Sequence, residues 1–199
     1  KTGTVTNGKP VLTDVVLAEG CSEEQLLLMV GSSERKSEHP LAQAIVDGVK
    51  NKGISLQETD DFESITGFGI RATVNGSHVL VGTRKLMSQN QVVVSEALPN
   101  MSQLEREGKT AMLVAIDGQY AGLVAVADTI KDTSVAAIKR LKDMGLEVIM
   151  ITGDNEQTAQ AIADLAGIDQ VIAEVLPEGK AKEVKKLQAE GKKVAMVGD

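Results

Sequence analysis

The chain has 199 residues, 42% of them hydrophobic, 25% charged and only 2% aromatic, room for one large domain or two small ones. With 21 Lys and Arg against 28 Asp and Glu, the net charge of −7 argues against a nucleic-acid backbone or an anionic membrane surface as the main partner. Its one cysteine, Cys21, rules out an internal disulfide framework or a thiolate metal cluster and fits a reducing compartment, and no apolar stretch approaches the ~20 residues needed to span a bilayer.

The opening Lys1-Thr2-Gly3-Thr4-Val5-Thr6 is dense in hydroxyls, and the first 14 residues are expected to supply the end of a strand. Two amphipathic helices are expected next, near 22–32 and 40–52, followed by strand-like pieces separated by turns. Asn75-Gly76 between the apolar runs 70–74 and 78–81 is a strong hairpin signal, and Asp117-Gly118 between 111–116 and 120–125 repeats it. From Asp128 the rhythm changes. A helix over 133–144 ends at Gly145 and a strand follows over 147–151. A helix over 156–166 is closed by Gly167, and a short strand falls near Val171-Ile172. A helix over 179–189 is closed by Gly191, and a strand is expected over 194–197.

Strands joined by helices imply a parallel sheet with right-handed crossovers. The fold class expected is therefore α/β, with a Rossmann-like parallel sheet, interrupted by an inserted α+β domain with an antiparallel sheet. The boundaries read as 1–14 and 127–199 for the outer domain and 15–126 for the insertion, with hinges near Asp14 and Ala127. Neither repeats nor low-complexity segments occur. The start lacks a signal-peptide core and Gly198-Asp199 follows a strand that leads nowhere, so both ends read as cut from a longer chain and the segment itself as soluble.

In a parallel sheet the ligand sits at the carboxyl ends of the strands, and those ends carry Thr152-Gly153-Asp154 and Gly198-Asp199. Lys180, within Pro177-Glu178-Gly179-Lys180, lies in a connecting loop. Hydroxyls, a glycine that admits close backbone approach and a lysine make an oxyanion cradle at residues 1–6. Each feature also has a bland reading: a polar turn at 1–6, an N-cap at Asp154, a solvated lysine at 180. The second cluster is Ser37-Glu38-His39-Pro40-Leu41, where a proline at the first helical position fixes the histidine beside helix amides that favour an anion. Gly67-Phe68-Gly69-Ile70 opens a strand. With no third glycine and no helix after it, it is not a dinucleotide fingerprint, and taken alone it reads as a bend or bulge.

These motifs together resemble the cytoplasmic catalytic part of P-type ATPases, whose phosphorylation domain is haloacid-dehalogenase-like. The resemblance covers essentially the whole chain. Lys1-Thr2-Gly3-Thr4 is similar to the family's Asp-Lys-Thr-Gly-Thr from its second residue, and Gly198-Asp199 to the opening of Gly-Asp-Gly-x-Asn-Asp. The residue that this family phosphorylates would directly precede Lys1. The resemblance implies ATP and Mg²⁺, with the Thr2 carbonyl and Asp199 as metal ligands. Thr152, Gly153 and Thr4 would hold phosphoryl oxygens, Lys1 would belong to the cradle, Lys180 would neutralise developing charge, and Asp154 would border the site.

Ser-Glu-His-Pro resembles the heavy-metal-transporting branch, where the histidine orients ATP. This implies a nucleotide pocket of Glu34, His39, Gly67, Gly69 and Ile70, with Gly82 of Val81-Gly82-Thr83 alongside and Thr83 in place of the family's asparagine. Only Phe62, Phe68 and Tyr120 could offer adenine a ring. Asp128-Thr129-Ile130-Lys131-Asp132 falls at the re-entry, where the family links its two domains; a solvated charged loop is the plain alternative.

The parent implied is a Cu⁺-exporting pump in the cell membrane, this segment being cytoplasmic. Its partners would be the pump's membrane and actuator domains, a metal chaperone through the parent, and no nucleic acid. A zinc/cadmium pump is the alternative within the branch. A free-standing phosphatase with a cap domain, or a nucleotide-binding module without catalysis, are alternatives outside it. Such phosphatases carry a second aspartate two residues after the nucleophile, where this chain has Thr2.

Overall fold

The computed structural model describes residues 1–198. It divides into two compact units, one of Lys1–Lys9, Glu105–Gly108 and the residues from Asp128 onward, the other of Pro10–Leu104 and Lys109–Ala127.

The larger unit is built on a six-stranded antiparallel sheet in the order β1-β6-β5-β4-β3-β2. Its strands are β1 (Val11–Leu17), β2 (Thr59–Ile65), β3 (Gly69–Val74), β4 (Ser77–Gly82), β5 (Thr110–Ile116) and β6 (Gln119–Ala127). Both predicted hairpins form: Val74 pairs with Ser77 around Asn75-Gly76, and Ile116 with Gln119 around Asp117-Gly118. Asn75 and Asp117 take the positive φ values, 52° and 49°, that such turns require.

Both faces of this sheet are covered. Val79, Val81, Val114, Val124 and Val126 pack with Leu26, Leu27, Val30, Ile45 and Val49 of helices α1 (Glu23–Glu34) and α2 (Pro40–Asn51). The alternate residues Leu80, Leu113, Ala115, Leu123 and Ala125 pack with Leu86, Met87, Met101 and Leu104 of helices α3 (Arg84–Gln89) and α4 (Leu98–Arg106). Strands buried on both faces lose the alternation of apolar and polar residues and read as continuous apolar runs. That is the pattern of 111–116 and 120–127.

The helices α3 and α4 were not expected from the sequence. The first has six residues with only Leu86 and Met87 buried, too short to show a period, and it is capped by Thr83, whose Oγ1 accepts from the Leu86 amide at 3.3 Å. The hinge expected near Asp14 falls inside β1. Val11 pairs with Ala127 and Leu12 with Val126, so the ladder takes the chain into the larger unit from Pro10 onward. At the other end β6 stops at Ala127 and Asp128 belongs to the smaller unit.

In the smaller unit, α5 (Asp132–Asp143), β7 (Ile149–Ile151), α6 (Glu156–Ala166), β8 (Gln170–Ile172) and α7 (Lys180–Ala189) follow in the expected order. Strands β7 and β8 pair in parallel. Gly167 closes α6 in the left-handed region at φ 75°. The core is Ile138, Met150, Ala159, Ile162, Ala163, Ala166 and Ile168. Two expectations fail here. Residues 1–6 form a tight turn rather than a strand, with the amides of Thr4, Val5 and Thr6 all directed at the Lys1 carbonyl oxygen; only Thr6 bridges, to Ile130. Residues 194–197 form no strand, and Met196 and Val197 stand 60% and 81% exposed. A strand exists through its ladder, and among the described residues the ladder of this unit holds only β7 and β8, with 194–197 paired to neither. Asp199 lies outside the described residues.

One backbone contact in the larger unit depends on two glycines. Gly69, at φ 141°, pairs with Gly82 across β3 and β4. A Cβ on Gly69 would fall 2.1 Å from the Val81 carbonyl oxygen, and one on Gly82 2.1 Å from that of Phe68. Replacing Gly69 by alanine combines this overlap with a strained φ. The expected loss is about 3 kcal/mol or more, seen as a lowered urea midpoint with an unchanged m-value.

Candidate functional site

In the smaller unit the turn at 1–6 and the loop after β7 converge. Lys1 Nζ lies 2.6 Å from Asp154 Oδ2, and the two side chains are only 6% and 16% exposed. The same Oδ2 accepts from Thr152 Oγ1 at 2.7 Å, and Thr152 Oγ1 in turn accepts from the Asp154 amide at 3.2 Å. The loop is tied to the segment that follows β8: the Val175 amide donates to the Thr152 carbonyl and the Glu174 amide to that of Asp154. Gly153 sits exposed between the buried Thr152 and the partly buried Asp154, with 3.3 Å from the position of a Cβ to the Val175 carbonyl oxygen. Asparagine 155 then caps α6, its Oδ1 accepting from the Thr158 amide at 3.0 Å. The N-cap alternative for Asp154 is thus filled by its neighbour, and the Asp154 carboxylate faces Lys1.

Burial by itself pushes the Asp154 carboxyl upward. The Lys1 ammonium, with Thr152 donating beside it, outweighs this and holds Asp154 below the usual carboxylate range. Lys180 is partly buried at the start of α7. Thr2 is exposed and Thr4 partly buried in the turn. Residues 1–9 are fastened through Asp128, whose Oδ2 accepts from Thr6 Oγ1 and from the Gly8 amide at 3.1 Å, and whose Oδ1 accepts from the Lys9 amide at 3.3 Å. Lys131 Nζ donates to the Gly3 carbonyl and Ser134 Oγ to that of Val5. The segment 128–132 is therefore a structural clamp rather than a solvated loop.

In the larger unit, Glu34 ends α1 with 6% of its surface exposed. Burial pushes its carboxyl up to about 7, with a hydrogen bond from Ser37 as a smaller opposing influence. His39 caps α2: its Nδ1 accepts from the Leu41 amide at 3.2 Å, which puts the ring proton on Nε2. Gly67 lies in an exposed turn at φ 78°. Gly69 and Gly82 are filled by each other's backbone, and the Ile70 side chain is 5% exposed within the core, so what these three present to a ligand is main chain. Phe62, Phe68 and Tyr120 are partly buried against the two cores.

Asn155 as a cap and the buried Glu105 did not emerge as site residues from the sequence, and Asp128, singled out there as a link at the re-entry or part of a solvated loop, was not read as a hub for residues 6–9. The cap had a local signal, Asn before a helical run. The hub depends on pairing across more than a hundred residues and had none.

The whole chain, residues 1–199, matches the haloacid dehalogenase-like hydrolases, and it belongs to that family. Among curated proteins it is 57% identical over 199 residues to a copper-exporting P-type ATPase of Bacillus subtilis (strain 168), covering 100% of this chain and 25% of that protein. It is 52% identical over 200 residues to a copper-exporting P-type ATPase of Staphylococcus aureus (strain N315), covering 24% of that protein. The chain thus spans about a quarter of the length of these relatives. Among solved structures, the catalytic domain of the CPx-ATPase CopB-B matches with a TM-score of 0.77 at 26% identity, over 100% of this chain and 68% of that one. A zinc-transporting PIB-type ATPase in an E2.Pi state matches with a TM-score of 0.64 at 34% identity, over 96% and 30%.

Two pH responses follow. Replacing Lys1 by methionine leaves Asp154 buried without its cation, so its ¹³C carboxyl titration moves from below to above the ordinary carboxylate range; an unchanged midpoint would mean the ion pair does not form. For Glu34, a folded-state value near 7 against 4.5 unfolded means the folded state binds the extra proton. Stability therefore falls as pH rises from about 4.5 to 7, by roughly 3 kcal/mol in all, and then levels off. Glu34→Gln should remove this slope in urea unfolding measured at several pH values.

Proposed function

We propose that this chain is the ATP-binding and phosphoryl-handling part of a P-type ATPase that exports a heavy-metal ion, Cu⁺ in the first instance, from the cytoplasmic side of a membrane. The observation that carries the reading is the buried Lys1–Asp154–Thr152 cluster in a chain whose relatives of 57% and 52% identity are copper exporters. The parent pump's cycle is read as transfer of the γ-phosphoryl of ATP to the aspartate that the family places before Lys1, then hydrolysis of the acyl phosphate.

In this reading Thr152 Oγ1, the exposed Gly153 amide and Thr4 hold phosphoryl oxygens, Lys1 and Lys180 offset their charge, and Asp154 keeps Lys1 in place. Glu34, His39, Gly67, Gly69, Ile70 and Gly82 take the nucleotide, with the His39 Nε2–H as a donor and the glycines and Ile70 contributing backbone. Mg²⁺ keeps several waters and takes one or two protein oxygens plus phosphate. The Thr2 carbonyl and Asp199 would hold it, and when bound it would neutralise charge between nucleophile and triphosphate. The pump's membrane and actuator domains are the partners proposed, with a metal chaperone reaching the parent. Zinc as cargo stands behind copper, because the zinc-transporting neighbour is 34% identical against 57% and 52% for the copper exporters. A capped phosphatase is set back by Thr2, which leaves no acid for the leaving group.

Calorimetry on the chain should find ATP bound with a preference over GTP. His39→Gln should weaken ATP about tenfold, roughly 1.4 kcal/mol, while the thermal midpoint shifts by no more than the loss of one helix cap. Unchanged affinity removes His39 from the pocket.

A further inference from the structure

Glu105 is 1% exposed and belongs to the short segment Glu105–Gly108 of the smaller unit. No motif points to it. Its Oε1 accepts from Asn155 Nδ2 at 3.1 Å. The Asn155 amide is otherwise engaged entirely with α6: Oδ1 accepts from the Thr158 amide at 3.0 Å, and Nδ2 also donates to Thr158 Oγ1 at 3.1 Å. These contacts decide the orientation of an amide whose two ends are nearly alike in shape. A rotated Asn155 would set its oxygen against the Glu105 oxygen and its NH₂ against the Thr158 N–H, losing both the anchor and the cap. The same segment touches α6 a second time, since a Cβ on Gly108 would lie 3.1 Å from Ile162 Cδ1.

Asn155 directly follows Asp154, and the loop 152–155 is held on three sides. Lys1 meets the Asp154 carboxylate at 2.6 Å, the Glu174 amide meets the Asp154 carbonyl at 2.9 Å, and Glu105 meets Asn155. We infer that Glu105 is a positioning residue of the phosphoryl loop: by accepting from Asn155 Nδ2 it fixes the cap of α6 and with it the backbone that presents Thr152, Gly153 and Asp154. This rests on the reading of 152–154 as the loop that holds phosphoryl oxygens. Preorganised donors of that kind lose their advantage when the backbone carrying them drifts.

The test is amide hydrogen exchange and ¹H–¹⁵N NMR on the whole chain with Glu105→Gln and Glu105→Ala. The glutamine variant keeps an acceptor oxygen at the same place, so the shifted Asn155 side-chain NH₂ pair and the slow Thr158 amide should persist. The alanine variant should collapse the NH₂ pair toward the solvent-exposed position and speed exchange at Thr158 about fivefold, the size of a lost N-cap, while the Ala163 amide in the same helix stays within about twofold. The proposal is overturned if alanine leaves Asn155 and Thr158 unchanged, if all amides of α6 accelerate together, or if glutamine fails to restore the pattern. None of these readouts involves nucleotide. ATP titration of the same samples separates the outcomes: a chain that ignores ATP sinks the proposed function and leaves the positioning result standing.

Discussion

An inserted domain can exist only if the chain leaves and returns at neighbouring points, and this constraint is met twice by pairings across more than a hundred residues. In the smaller unit, Asp128 gathers Thr6 Oγ1 and the amides of Gly8 and Lys9, with Thr6 bridged to Ile130. In the larger, Val11 pairs with Ala127. The carboxylate is well suited to the task because it accepts from several donors at once without offering a donor of its own. Thr6 is fully buried, so without Asp128 its hydroxyl would lose its short partner in a site closed to water. The turn at 1–6 inherits its position from this clamp, and Lys1 inherits its own from the turn.

The larger unit answers a different demand. Its central strands are covered on both faces, which consumes nearly all of its apolar side chains and places Phe62, Phe68 and Tyr120 against the cores. In the proposed reading, the nucleotide would therefore meet helix ends, turns and exposed main chain. Glu34 and His39 are both helix-terminal residues. The Gly69–Gly82 contact draws β3 and β4 together, so these glycines serve the sheet first, and a ligand beside them would meet backbone.

Local chemistry was legible in the sequence wherever the cause was local. Asn75-Gly76 and Asp117-Gly118 dictate turns by their own φ preferences, Gly167 ends α6, and Pro40 starts α2 behind His39, so these features stand where the residues placed them. The misses share a cause as well. Residues 194–197 have strand composition, but a strand is made by a neighbour and composition does not reveal whether one is present. The boundary near Asp14 was drawn where the segment that reads as α+β begins, whereas the ladder to β6 begins at Val11. In the candidate site, the loop 152–154 and Lys1, which meet through Asp154, were singled out through motifs that resemble those of a known family. Asp128 as a hub and Glu105 were not, because each acts on residues far away in sequence through a hydrogen bond that leaves no periodic trace.

The resulting electrostatics favour an anion without exposing an uncompensated buried charge. Lys1 is nearly enclosed, and an enclosed ammonium without a counter-charge would lose its proton or distort the fold. Asp154 supplies the counter-charge, and its low titration keeps that charge in place through neutral pH. Pairing cancels the field of Lys1 at long range while leaving its remaining N–H donors available at short range. Lys180, partly buried, adds a further positive charge. In the proposed reading, an arriving phosphoryl group is drawn by Lys180 and then meets a lysine that is already oriented. It need not order that lysine itself, so the ordering cost is met by folding rather than by binding.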